Sequence, residues 1–269
     1  MSDTSRRAFM TSTVGTVLAA AVPSVVDAAQ ARSAAEMVEG RRPATARKLR
    51  VQFTTGGHTA PLAIYAMFDS DRFRQDFDAV VRPHPHAFDF LTGPDRPDVI
   101  VTNDWITNGW PKADQDLMQR YLESGGGVVA LHHAVGTNGN QWKWWAEEVT
   151  GCYLYNPNVT GMHTQARLKQ FVIQTVTPVG THPIVNGLPP FQLPWDETFP
   201  NMWISPKATV LFKSDDPSFN NPALGWIGPP LPKGRVVCFQ PGHTAIVCQD
   251  PTWRKIVHRM IQWAGGRLA

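Results

Sequence analysis

The chain has 269 residues, 42% of them hydrophobic, and a formal net charge of +3. That is enough apolar material for one full-sized core, and no Lys/Arg block in the body marks a nucleic-acid surface. The three cysteines, Cys152, Cys238 and Cys248, are odd in number and lack CxxC spacing, so they read as buried thiols and exclude a disulfide framework.

The chain begins with a segment containing SRRAFM, in which Arg6-Arg7 form a twin-arginine export signal. A weakly apolar stretch follows from about Val14 to Val26, and then the small-residue segment DAAQA, so residues 1–31 are expected to be a signal peptide. The apolar stretch is too short and too rich in Ala and Thr for a stable membrane span. Residues 32–47, rich in Ala, Glu and Arg without an apolar period, read as a linker. The expectation is a protein exported to the periplasm or the medium, with no membrane span in its mature chain and one domain over residues 48–269.

From Lys48 onward, apolar segments alternate with helical patterns. Leu49 to Thr55 is a strand ending at Gly56-Gly57-His58, and Thr59 to about Phe68 is a helix with Pro61 in its first turn. FDAVV is a second strand and Pro97 to Asp104 a third. Lys112 to Ser124 is a helix with Leu117, Met118, Tyr121 and Leu122 on one face. GGGVVALHH is the next strand, Asn140 to Thr150 is helical, and Ala166 to Val176 alternates like a strand. ATVLFKSD, LGWIG and GRVVCFQPG are further strands, and Pro251 to Gly265 is a closing helix. Strands separated by helices imply a mostly parallel sheet covered on both faces. The strands of the second half follow one another directly, which implies an antiparallel extension at one edge. The expected fold is therefore α/β, a three-layer sandwich of the flavodoxin-like type, with ligands bound at the carboxyl ends of the strands.

That rule picks out the candidate site. His58, Asp104 with Trp105, His132 with His133, and His243 each follow a different strand. Asp196-Glu197 lie in PPFQLPWDETF, which reads as a loop whose Trp195 and Phe199 would partly bury the carboxylates. The candidate catalytic groups are His132, His133, Asp196, Glu197 and His243. The candidate substrate contacts are His58, Asp104, Trp105, His163 and Trp195. Adjacent strand residues face opposite ways, so one of His132 and His133 is expected to face the pocket and the other the sheet packing. Converging imidazoles form a Zn²⁺, Ni²⁺ or Mn²⁺ site, here His58, His133 and His243, while the same groups also serve metal-free acid–base catalysis. His84 and His86 read as a solvated loop, His182 as a turn residue and His258 as structural. GxGxxG and GxSxG are both missing from the sequence, so neither a nucleotide cofactor nor a serine elbow is expected.

Four segments in order, GGGVVALHHA, THPIVNGLPPFQLPWDETF, GRVVCFQPGHT and DPTWRKIVHRMIQWAGG, resemble the ThuA-like (trehalose-utilisation) family over most of Lys48 to Gly266. The resemblance implies a fold similar to class I glutamine amidotransferases. In those enzymes a strand–turn–helix elbow carries a nucleophilic cysteine. His132-His133 stand there in this chain, so amidotransferase chemistry is not implied. By position, His132 or His133, Asp196-Glu197 and His243 match recurring polar positions of the family. The second histidine departs from its usual pattern of one histidine and a small residue. The resemblance further implies carbohydrate metabolism, since members are linked with oxidoreductases that form 3-keto sugars from trehalose and related disaccharides. The expectation is an exported enzyme cleaving or rearranging a small-molecule sugar, with His/carboxylate acid–base chemistry beside a divalent metal and tryptophans stacking on sugar rings. The alternative is a non-catalytic sugar-binding or accessory protein partnering a sugar oxidoreductase.

Overall fold

The first strand shows how the sheet is built. In β1 (Leu49–Gly56), Leu49, Val51 and Phe53 are buried on one face while Gln52 and Thr54 are buried on the other, so both faces of the sheet are covered. The computed structural model describes residues 47–106, 108–137, 141–154, 168–219 and 221–268. The expected signal peptide, nearly all of the expected linker and His163 lie outside the described residues.

In chain order, β1 is followed by α1 (Leu62–Phe68), α2 (Asp71–Asp76), β2 (Phe77–Pro83), β3 (Val99–Asp104), α3 (Lys112–Glu123) and β4 (Gly127–Leu131). A 3₁₀ turn (His132–Gly136) and a π turn (Trp145–Val149) lead to β5 (Cys152–Tyr153), β6 (Lys169–Pro178), β7 (Phe191–Thr198) and β8 (Trp203–Ile204). Then come β9 (Thr209–Ser214), β10 (Ala223–Ile227), β11 (Arg235–Phe239), α4 (Ala245–Gln249) and α5 (Pro251–Ala264). The main sheet has nine strands in the order β2-β1-β3-β4-β11-β10-β9-β6-β7. The pairs from β2 to β11 are parallel and those from β11 to β7 antiparallel. With β11 as the fifth strand, the parallel half has the flavodoxin-like order, whose direction of winding reverses between β1 and β3.

Each face carries its own core. Val51, Phe53, Val101, Val129, Leu131 and Phe239 pack with Ile64 and Met67 of α1 and with Trp253, Ile256 and Met260 of α5. Ile100, Val128, Ala130 and Cys238 pack on the other side with Met118, Tyr121 and Leu122 of α3 and with Trp145. The result is the expected three-layer sandwich. The chain enters β4 through glycines because α5 ends against it: a Cβ at Gly127 would lie 2.4 Å from the Ala264 carbonyl oxygen. Asp250 starts α5 by accepting from Thr252 N and Trp253 N at 2.8 and 2.9 Å, with Pro251 behind it in the first turn.

Three expectations change. Asp196-Glu197 lie on β7 rather than in a loop. β7 is an edge strand pairing only with β6, and an edge tolerates Pro194 without a lost ladder bond. Trp195 adopts φ +56° beside shifts in the β6–β7 register, which lets Asp196 and Glu197 both be buried although they are neighbours. Trp195 itself is 56% exposed and does not shield the carboxylates. β4 ends at Leu131, so His132 and His133 belong to the 3₁₀ turn, where the alternation of a strand no longer holds. β2 runs on to Pro83, two residues beyond FDAVV, which puts His84 at its carboxyl end instead of in a solvated loop.

Candidate functional site

His132 leaves β4 with φ +53°, a left-handed conformation that costs a non-glycine residue about 1–2 kcal/mol and turns its ring into the space beyond the strand. Its Nδ1 donates to the Gln240 carbonyl at 3.0 Å, so the lone pair is on Nε2. The ring stacks on Phe199, centroids 5.2 Å apart. Gln240 ties the end of β11 to the end of β7, its Oε1 accepting from Phe199 N at 2.8 Å and from the Thr198 hydroxyl.

His243 follows three residues after Gln240, on the turn into α4. That turn is held by Asp196, whose carboxylate accepts from Gly242 N (2.9 Å), His243 N (2.9 Å) and Thr244 N (3.3 Å). Burial pushes the Asp196 carboxyl up against the opposing pull of these amides. Asp196 thus faces backbone, while Glu197 faces the rings: its carboxylate oxygens lie 3.7 Å from His132 Nε2 and 3.6 Å from His243 Nδ1. His132 Nε2 and His243 Nδ1 are 3.0 Å apart. The donor atoms of His132, Glu197 and His243 all lie within 4.8 Å of one another, the spacing of a metal donor set. This set keeps His243 from the expected triad, with His132 and Glu197 in place of His58 and His133.

Both adjacent histidines reach this cluster. The His133 ring is 4.9 Å from that of His132 and 4.5 Å from that of His58, and His58 is 6.1 Å from His243. His58 is exposed and forms the outer side of the group. Burial, and then the neighbouring His133, hold His132 well below the ordinary histidine value, so it is neutral at pH 7. Burial and the nearby His58 lower His133 to about 4. Neutral imidazoles are what a cation requires of its ligands.

Asp104 occupies a separate cluster. It is fully buried and accepts from Trp110 Nε1 at 2.8 Å, His84 Nε2 at 3.1 Å and the Thr102 hydroxyl. Trp105 is half-buried and donates its backbone N–H to Gly56 O at 2.9 Å. His86 is exposed beside Asp89, His182 accepts from Ile184 N within its turn, and His258 is buried against Asp76, as their sequence contexts suggest. The sequence reading missed Gln240 and His84. Both directly follow strands, so the rule that found the other histidines covers them once strand ends are set correctly.

A family model described as trehalose utilisation, ThuA, matches residues 50–264. The chain is a member of the ThuA family. A ThuA-like protein from Parabacteroides merdae shares 16% identity at TM-score 0.66, covering 83% of this chain and 92% of the other. A ThuA-like protein from Bacteroides uniformis shares 18% at TM-score 0.64, covering 82% and 94%. A glutamine amidotransferase from Thermotoga maritima aligns at TM-score 0.47 with 11% identity, over 81% of this chain and 100% of that one. No curated protein matches the chain. The ThuA assignment brings with it a relation to trehalose utilisation. Among the described residues no helix is long and apolar enough to cross a membrane.

Proposed function

We propose that this ThuA-family protein is an exported enzyme that cleaves or rearranges a glycoside, or its 3-keto derivative, beside a divalent cation held by His132, Glu197 and His243. One observation carries the reading: His132 Nε2 and His243 Nδ1 stand 3.0 Å apart, and Glu197 oxygens lie 3.6–3.7 Å from both. His132 Nε2 carries a lone pair, and His243 Nδ1 and the Glu197 carboxylate share the space before it, so the three are fully paired only with a cation or a proton between them. Two imidazoles and one carboxylate suit Zn²⁺, Ni²⁺ or Mn²⁺, and three protein ligands leave a position open for substrate. The cation, when bound, polarises a substrate carbonyl or hydroxyl oxygen.

The chain's own residues supply the rest. The Gln240 carbonyl fixes the His132 tautomer, as an outer partner does for a ligating histidine. Asp196 orients the turn bearing His243. A keto group acidifies the neighbouring C–H, so an imidazole suffices as base, and His58 at the outer side of the cluster has room to exchange its proton with water. The Arg6-Arg7 signal supports export in the folded state, which lets a cation load before crossing, and a sugar oxidoreductase in the same compartment would supply the keto sugar.

The test is metal analysis of the purified full chain together with turnover of 3-keto-glycosides. About one equivalent of cation per chain is expected, reduced at least tenfold in Glu197→Gln, with turnover lost when His132, His133 and His243 are replaced together. Unchanged metal content and turnover in these variants would sink the proposal. Sugar binding with no turnover would instead favour the accessory-protein reading.

A further inference from the structure

His133 stands apart from the other buried histidines. His132 donates to Gln240 and His258 to Asp76, whereas among the described residues neither ring nitrogen of His133 has a hydrogen-bond partner, although the residue is only 6% exposed. Asn103, fully buried at the carboxyl end of β3, likewise has neither amide atom hydrogen-bonded among the described residues, and β3 packs against the turn that carries His133. Burying such groups unpaired is unfavourable, so a fold that keeps His133 unpaired beside a donor set holds it for a ligand. The donor atoms that converge belong to His132, Glu197 and His243, and the His133 ring lies 4.9 Å from that of His132, so His133 adds a second point of attachment beside the cation rather than a fourth ligand to it.

We infer that His133 is a specificity-determining residue that binds a substrate hydroxyl next to the oxygen held at the cation site, so that the site takes α-hydroxy-ketones and vicinal diols. A neutral imidazole donates from one nitrogen and accepts at the other, at diverging edges of the ring, so a partner able both to donate and to accept pairs with whichever nitrogen faces it. A hydroxyl is such a partner, whereas a lone ketone or carboxylate only accepts. This inference rests on the proposed cation site and narrows the ligand that the site selects.

The full chain loaded with Co²⁺ tests it by visible spectroscopy and calorimetry with hydroxyacetone and with acetone. Hydroxyacetone should bind about tenfold tighter than acetone, the worth of one good hydrogen bond. In His133→Phe the preference should fall below about twofold while the ligand-free Co²⁺ spectrum stays as in the parent, which also shows that the variant folds. His133→Gln, which keeps a donor and an acceptor, should retain part of the preference. A chain that takes up no Co²⁺ overturns the cation reading and this inference together. A chain that takes up Co²⁺ but shows no preference for hydroxyacetone, or keeps it in His133→Phe, overturns this inference alone.

Discussion

Two groups of histidine and carboxylate stand at the carboxyl ends of the parallel strands, and they are built from the same residue types to opposite effect. Around Asp104 the account closes: Trp110, Thr102 and His84 all donate to one carboxylate, and the aromatic rings of Phe88 and Trp110 pack against His84. Around His132 it stays open: the His132 and His243 nitrogens and the Glu197 carboxylate crowd one space with at most one proton between the two nitrogens, and among the described residues neither ring nitrogen of His133 has a hydrogen-bond partner. Residue type and strand-end position therefore mark a region, but the balance of donors and acceptors separates the cluster that holds the fold from the one that awaits a ligand.

The contrast breaks most visibly at the joint of the open cluster. Asp196→Ala leaves the amides of Gly242, His243 and Thr244 without their acceptor. The expected loss is about 4 kcal/mol, or a Tm lower by about 10 °C in a domain of this size, accompanied by loss of cation binding because the His243 turn drifts. A thermal melt that matches the parent would show that the turn holds itself. Asp104→Asn sharpens the comparison from the closed side. It keeps one acceptor and removes the charge, so the melt should fall by about 3 kcal/mol while cation affinity stays within about twofold. Loss of the cation in this variant would mean that the two clusters act as one.

How far the sequence carried follows the same division. The parallel half was legible because β1, β3, β4 and β11 are short apolar runs punctuated by glycine, and because α3 and α5 show helical spacing. Their order placed His58, His132, His133 and His243 together. The antiparallel edge was harder to read. The three prolines and spaced aromatics of PPFQLPWDETF made Phe191–Thr198 look like a loop, yet an edge strand asks nothing of the outer N–H groups that proline lacks. The choice of donors was also hidden. It depends on φ +53° at His132, φ +56° at Trp195 and the shifted β6–β7 register, none of which leaves a local signature in residue type. Glu197 reaches the rings and Asp196 the backbone only because of that bulge.

The smallest expected effect is the most direct reading of an open cluster. In metal-free protein the folded His133 titrates at about 4, below its ordinary value of 6.5. As the pH falls, the unfolded chain takes up the proton first, so stability is full above about pH 6.5 and is lost progressively down to about 4. Between pH 7 and pH 5 this residue alone accounts for about 2 kcal/mol. His132, lowered in the same direction by burial, adds to the slope. Other groups titrate as well, so the measurement is the difference between parent and His133→Phe in chemical denaturation across that window. At pH 7 the variant should be more stable by about 1 kcal/mol, since it removes two unsatisfied nitrogens at nearly constant ring volume. Toward pH 5 its advantage should grow, because it has no imidazole to charge. An advantage that shrinks with acidification would mean that His133 already has an acceptor in the ligand-free protein, and the distinction between the open and closed clusters would fall with it.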